Sequence, residues 1–305
     1  MAKIVVVGSS NTDMVIRTER IPGPGETVLG GEFTMAAGGK GANQAVAAAR
    51  LGAQVTLVAR VGADLFGDGA LEGLSKEGID TRYVTVDPEA ASGIALIFVD
   101  ADGENSIGVA PGANARLSPD DVRRAQQAIE GAHVLLLQLE IPLDTAACAA
   151  ELAHRAGVQV ILNPAPAPTG PLPAGLLSCV DILTPNESEA GALAGVPVAD
   201  LPSAKEAGLS LINQGVGKII ITLGAKGALV VSSEVQQLVP GYPVEAVDTT
   251  AAGDAFNGGL AVALAAGKGL LDAVRFANGC GALAATRLGA QPSLPSLDEV
   301  ASLMG

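Results

Sequence analysis

Two carboxylates six residues apart bracket a turn of small residues in Asp248-Thr249-Thr250-Ala251-Ala252-Gly253-Asp254-Ala255-Phe256. Apolar residues at helical spacing follow at once, Phe256, Leu260 and Leu264. The stretch therefore reads as a loop entering a helix, with a carboxylate in its first turn. The first N–H groups of a helix lack partners and the macrodipole is positive there, so such a start binds anions. An Asp at that point can take a proton from a hydroxyl while the N–H groups beside it hold a charged oxygen. An ordinary N-cap uses the same residue types, so this stretch alone leaves both readings open.

Other segments carry similar chemistry. Gly38-Gly39-Lys40-Gly41-Ala42-Asn43-Gln44 precedes an Ala-rich helical run and sets two donors, Lys40 and Asn43, beside backbone that can approach a ligand closely. It is neither of the common phosphate loops. Thr34 and Gly41 break the Walker pattern, and Gln44 takes the third glycine position of the dinucleotide fingerprint. Asn11 and Asp13 follow the first apolar run, where a carboxylate and an amide can hold sugar hydroxyls, and Glu140 follows another such run. Thr184-Pro185-Asn186-Glu187-Ser188-Glu189 opens a helix with acids that either offset the dipole or organise a hydrated Mg²⁺. Thr222-Leu223-Gly224-Ala225-Lys226-Gly227 forms a Gly-rich turn able to pass a nucleotide.

These residues need a frame, and the rest of the chain supplies one. Short β-branched or Leu-rich runs predict strands at Ile4–Val7, Val55–Val61, Val134–Leu139, Val158–Leu162, Ile182–Thr184, Lys218–Thr222 and Ala228–Val231. Between them lie helices predicted at Ala42–Leu51, Asp68–Glu77, Asp120–Ile129, Asp144–Ala156, Ser188–Leu193, Ser203–Gln214, Ala255–Ala266 and Leu271–Thr286. That alternation predicts an α/β fold: a doubly wound, mostly parallel sheet with helices on both faces. Residues 12–37 and 83–110 break the pattern and predict a small antiparallel β lid. The core is then 1–11, 38–82 and 111–305.

Composition excludes some partners. The net charge is −14 and the chain has 2 Tyr, 5 Phe and no Trp, which argues against nucleic acid. No run of about 18 apolar residues predicts a membrane span. Three scattered cysteines, Cys148, Cys179 and Cys280, predict a reducing cytoplasm and no disulfide framework. With only His133 and His154, a His-based metal site or triad is not expected.

Taken in order, Asn-x-Asp near residue 12, Gly-Gly-Lys-Gly-Ala-Asn near 40, Asn-x-x-Glu near 186 and Asp-Thr-Thr-Ala-Ala-Gly-Asp near 250 resemble the ribokinase family of carbohydrate kinases, as does Gly289-Ala290-Gln291-Pro292-Ser293. The resemblance spans nearly the whole chain. It implies ATP-dependent phosphorylation of D-ribose at its 5-hydroxyl, with Mg²⁺ and an activating K⁺, and a homodimer through the lid. It implies that Asp254 is the base, and that Ala252, Gly253 and Asp254 offer N–H groups to the transferring phosphate. Asn11, Asp13, Gly39, Lys40, Asn43 and Glu140 resemble the sugar-holding set. Asn186, Thr222, Gly224, Gly227 and Asn278 resemble the nucleotide contacts, with Glu187 and Glu189 in the Mg²⁺ and phosphate network. Asp248, Thr250, Ala284, Arg287, Gly289 and Ser293 match positions that hold the monovalent cation, mostly through carbonyl oxygens. Asp248 is then a cation anchor and not the partner of Asp254 in an acid/base pair.

Alternatives stay open at this level. Ribose and 2-deoxyribose differ by one hydroxyl, and other sugar or nucleoside kinases share the fold. The polar pair Asn11 and Asp13 favours a free sugar over a nucleoside. A non-catalytic sugar-binding protein is opposed by the intact Gly253-Asp254, and a dinucleotide-dependent dehydrogenase by the missing fingerprint.

Overall fold

The computed structural model describes residues 1–168 and 170–305. Its strands are β1 (Lys3–Val7), β2 (Asn11–Arg17), β3 (Glu32–Gly38), β4 (Gln54–Gly62), β5 (Asp80–Asp87), β6 (Gly93–Val99) and β7 (Asn105–Ala110). They continue with β8 (Val134–Leu137), β9 (Gln159–Leu162), β10 (Ile182–Leu183), β11 (Lys218–Thr222), β12 (Gly227–Val231) and β13 (Gln236–Pro240). The α-helices are α1 (Lys40–Arg50), α2 (Leu65–Lys76), α3 (Pro119–Arg124), α4 (Gln126–Glu130), α5 (Leu143–Arg155) and α6 (Ala174–Leu177). Then come α7 (Glu187–Ala194), α8 (Leu201–Asn213), α9 (Ala252–Ala265), α10 (Leu270–Ala284) and α11 (Leu297–Met304).

Nine strands form one sheet in the order β13-β12-β11-β10-β9-β8-β1-β4-β5. Six of its eight pairings are parallel, and only β11·β12 and β12·β13 are antiparallel. Strand side chains alternate between faces, so Ile4 and Val6 join one buried cluster with α1, α9 and α10, while Val5 and Val7 join a second with α5 and α8. Both faces are covered, which is why the central strands are apolar throughout. Leu136 at the sheet centre is fully buried, and truncating such a residue to Ala costs about 2–5 kcal/mol. Helices α1 and α9 pack closely because Gly258 has no side chain: a Cβ there would lie 2.6 Å from that of Ala47.

Four strands form a separate small sheet, β3-β2-β6-β7. β2·β3 and β6·β7 are antiparallel, and the central pair β2·β6 is parallel. The lid is smaller than its sequence boundaries. Residues 83–87, expected in it, lie in β5 and pair with β4 at the edge of the large sheet. An edge strand exposed on one side alternates just as a lid strand does, so pattern cannot separate them. Asp87 ends β5, where its carboxylate is buried against Arg60 and Arg116 and accepts from the N–H groups of Glu89 and Ala90. The chain crosses to the small sheet only after that anchor. Further differences are helix starts at Leu65 and Ala252, each three residues earlier than predicted, a break at Ala125 in the helix expected over 120–129, the unpredicted α6 and α11, and β13, whose mixed Gln236–Pro240 run has no clear period.

Candidate active site

The carboxyl ends of the parallel strands and the starts of α1, α7 and α9 converge on a cavity of about 190 Å³. It is lined by Lys40, Asn186, Glu189, Thr222, Gly253 and Asp254, with Asn163, Thr184 and Asn257 among others. Crevices of this kind form outside the strand ends of open α/β sheets. Ala251 precedes α9 with φ 58°, which ends the loop and turns the helix start into the cavity.

Asp254 is buried. One carboxylate oxygen accepts from Asn43 Nδ2 at 2.9 Å and the other from Gln44 Nε2 at 3.1 Å. Burial pushes its pKa up; Lys40 and the two amides pull the other way. Of the three expected anion-binding N–H groups, that of Ala252 is already taken, donating to Thr249 O at 3.1 Å. The tight turn into the helix uses it. Those of Gly253 and Asp254 meet no acceptor among the described residues, so two of the three groups are open to an anion.

Lys40 sits half-buried at the start of α1. Burial disfavours its ammonium, but Asp254, Glu140, Glu189 and Asp13 together outweigh that and raise its pKa. Asp13, on β2, is pushed up to about 6 by burial and then by Glu140 and Asp254, with Lys40 opposing. Glu140 accepts from the Lys40 backbone N–H at 3.0 Å and from Ser9 Oγ at 2.5 Å. Asn11 Oδ1 accepts from Asn114 Nδ2 at 2.8 Å, and Asn114 also bonds the Ser10 backbone at both N and O. Gly39, φ 87°, carries the chain from β3 into α1. Asn43 Oδ1 is buried without a partner among the described residues.

Across the cavity, Asn186 caps α7 by accepting from Glu189 N, and Glu189 returns a bond to Asn186 N. The Asn-x-x-Glu motif is thus a capping box whose ends both face the cavity, and burial raises the Glu189 pKa. Glu187 does not line it. Thr222 ends β11 beside Asn186, and Gly224 and Gly227 follow with φ 55° and 101°. Asn278 does not line the cavity; it is buried beside the strand that pairs with Gly227, donating to Val239 O and Pro240 O, and so ties α10 to β13.

Asp248 joins two loops, accepting from Thr250 N and Gly289 N at 2.9 Å each. Burial raises its pKa, but those bonds outweigh it and the pKa falls, so a carboxylate is held there. The donor set is all oxygen, which fits a hard monovalent cation. Arg287 contributes no side chain to it, since its guanidinium pairs with Glu299 on α11. Ala284 ends α10, and Ser293 Oγ donates its proton to Ala290 O, which leaves its lone pairs free for a cation. Glu189, which lines the cavity with Asp254, is an oxygen donor that fits a hydrated divalent ion.

Sequence reasoning missed Ser9, Asn114, Gln138, Asn163, Thr184 and Asn257 as site components. Gln138, Asn163 and Thr184 directly follow β8, β9 and β10, and Ser9 comes two residues after β1, so the rule that ligands sit at strand ends finds those four.

The sequence model of the pfkB family carbohydrate kinases matches residues 1–297. The chain is 45% identical over 296 residues to a ribokinase of Haemophilus influenzae, covering 97% of this chain and 96% of that one. It is 40% identical over 296 residues to a deoxyribokinase of Salmonella typhi, with the same shares covered. Its structure superposes with a TM-score of 0.90 on an Arabidopsis thaliana ribokinase complexed with ribose and ATP, at 35% identity over 100% of this chain and 99% of that one. With the cavity, its buried Asp254 and these matches in hand, the chain belongs to the pfkB family of carbohydrate kinases.

Proposed function

We propose that the protein transfers the γ-phosphoryl group of ATP to the 5-hydroxyl of D-ribose, giving D-ribose 5-phosphate and ADP. One observation carries the reading: a buried carboxylate, Asp254, lies beside two open helix N–H groups and a lysine in a cavity with acceptors on both sides. Asn11, Asp13, Lys40, Asn43 and Glu140 hold the sugar hydroxyls. Asn186, Thr222, Gly224 and Gly227 hold the nucleotide; Asn278 supports that half through β13. Asp254 accepts the hydroxyl proton as the phosphoryl group moves. The N–H groups of Gly253 and Asp254, with Lys40, stabilise charge on the transferring oxygens. Such a transfer depends on positioning and charge more than on covalent chemistry.

Glu189 holds Mg²⁺ through water, and the Asp248 loop, with carbonyls of Thr250, Ala284, Arg287 and Gly289 and the Ser293 region, holds K⁺. When bound, Mg²⁺ offsets phosphate charge and K⁺ stiffens the loop that leads into α9. The register places Phe33 and Met35 on the same side of the small sheet as Met14 and Leu96, opposite to Asp13. Phe33, Met35 and Leu96 are exposed. That outer apolar face pairs with a second copy, making a homodimer. Three free cysteines fit a reducing cytoplasm, and no helix among the described residues is long and apolar enough to cross a membrane.

The test is ADP release over a panel of pentoses, hexoses and nucleosides, with K⁺ or a large organic cation as the monovalent ion. Ribose with K⁺ gives the highest kcat/KM; equal activity in both salts refutes the cation assignment. The deoxyribokinase relative favours a second reading, 2-deoxyribose. A site built to bond a hydroxyl discriminates strongly against the analogue lacking it, so the ratio of the two sugars decides.

A further inference from the structure

At the cavity floor runs a chain of buried polar side chains, Gln44, Asn163, Thr184 and Asn257, to which the proposed chemistry gives no part. Gln44 Nε2 donates to Asp254 Oδ1 at 3.1 Å and to Asn163 Oδ1 at 3.2 Å. Asn163 Nδ2 donates to Thr184 O at 3.0 Å. Thr184 Oγ1 donates to Asn257 Oδ1 at 2.6 Å, and Asn257 Nδ2 donates to Gly253 O at 2.8 Å. Gly253 and Asp254 are neighbours in the chain, so the path closes on itself. Every side chain in it is buried.

The direction of these bonds is fixed at one point. An ionised carboxylate only accepts, so Gln44 must turn its NH₂ toward Asp254. Its Oε1 then faces Gln138, which donates to it at 2.7 Å. Gln138 is left with a buried Oε1 that has no partner among the described residues. An orphaned buried acceptor is destabilising, so this polarity costs stability at Gln138 and orders donors at Asp254. The ring also joins α1, the ends of β9 and β10 and the first two turns of α9, which are the elements that meet at the reacting centre.

We propose that Gln44 is a positioning residue for Asp254, and that the ring Gln44–Asn163–Thr184–Asn257–Gly253 holds the base and the anion-binding turn as one rigid unit. The proposal rests on the reading of Asp254 as the base. Asn43 bonds the other oxygen of the same carboxylate but also faces the sugar, whereas Gln44 reaches substrate only through Asp254. Its loss therefore changes turnover and not binding.

Steady-state kinetics of Gln44→Leu, Asp254→Asn and the double variant test this. Gln44→Leu lowers kcat about 10- to 100-fold, the worth of a hydrogen bond to a charged group. KM for ribose and ATP moves less than about threefold, and the acid limb of the kcat–pH profile shifts up by about one unit. The sign follows because the lost N–H favoured the carboxylate form. In the Asp254→Asn background, Gln44→Leu adds nothing further. An unchanged kcat for Gln44→Leu, or the same fold loss in both backgrounds, overturns the proposal and leaves the base assignment standing. Full turnover by Asp254→Asn alone instead overturns the base assignment. Thr184→Val, matched in shape and without a bond to the carboxylate, guards against misfolding. It breaks the ring at Asn257 and lowers kcat several-fold in the otherwise native protein; wild-type kcat in a folded Thr184→Val refutes the rigid unit.

Discussion

The starts of α1 and α9 invite comparison. Both follow glycine- or alanine-rich turns, neither has a capping side chain of its own, and both stand at the same cavity. At α1 the N–H groups are spoken for. Lys40 N donates to Glu140, Gly41 N to Ser9 Oγ and Ala42 N to Ser9 O. At α9 only Ala252 N is satisfied, while Gly253 and Asp254 N–H remain open. The macrodipole is the same in kind at both ends. What differs is what the fold brings opposite: a carboxylate and a hydroxyl at α1, a cavity at α9. A helix start thus becomes an anion site by what is withheld from it, and α1 serves as a rigid mount for Lys40 and Asn43.

The comparison can be broken most severely at Asp254. Asp254→Asn lowers kcat by about 10²- to 10⁴-fold, the usual worth of a positioned base, with ribose affinity by calorimetry nearly unchanged. Next comes a matched pair of glycines, one at each helix. In Gly41→Ala the new Cβ would lie 2.5 Å from Ser9 N and 2.6 Å from Gly8 C. Backbone on that side cannot yield, so stability drops by about 3 kcal/mol or more, read from urea unfolding. In Gly253→Ala the Cβ meets nothing within 4 Å, and stability stays within about 0.5 kcal/mol.

An intermediate effect is expected from pH. Asp13 titrates near 6 in the folded protein, above its ordinary 3.8. Its proton is bound more tightly in the folded state, so the group's contribution to stability is full below pH 3.8 and is lost as pH rises through about 6. Asp13→Asn therefore melts higher than wild type at pH 7.5 and loses that advantage at pH 4. The same variant binds ribose more weakly at pH 7.5, since the carboxylate accepts two donors where the amide offers one oxygen. A lower melting point for Asp13→Asn at pH 7.5 refutes the strain placed on this carboxylate. The smallest effect is at Glu140→Gln, which keeps an acceptor for Lys40 N but removes the charge at the α1 start. It costs about 1 kcal/mol or less in stability and raises KM for ribose more than it lowers kcat.

Much of this was legible in the chain. The alternation of apolar runs and Ala-rich helices gave the layered core, and the loops at 11–13, 38–44, 184–189 and 248–254 all reach the site or its rim. The two carboxylates of 248–254 also differ in surroundings: Asp248 accepts from two backbone N–H groups, while Asp254 is buried against Asn43 and Gln44. What stayed hidden depends on neighbours distant in sequence. Ala252 looks as free as Gly253 until the turn closes on Thr249. Asn278 has the right type for a nucleotide contact but meets two β13 carbonyls, and β13 itself has too mixed a pattern to announce. Gln44 stands one residue from Asn43 in the same motif, and only the Gly258 contact between α1 and α9 turns it into a partner of Asp254.

The small sheet hangs from the large one in a way that sets what it can do. Asn11 pairs with Gly38 on one side and Gly93 on the other, and Ala110 pairs with Ile94 in the next row. All four places where the chain passes between the sheets therefore fall along one line. A body joined along a line moves most readily by rotation about it, here against the packing of β2 on α2 and of β3 on residues 291–293. Seven-residue strands carry its far edge roughly 20 Å from that axis, while Asn11 lies on the axis and Asp13 two residues from it. Rotation about that line would move the far edge most and Asn11 and Asp13, the proposed sugar ligands, least. Access and grip would then be decoupled: under the proposed function, a change at the outer edge alters how fast sugar enters and leaves more than how it is held.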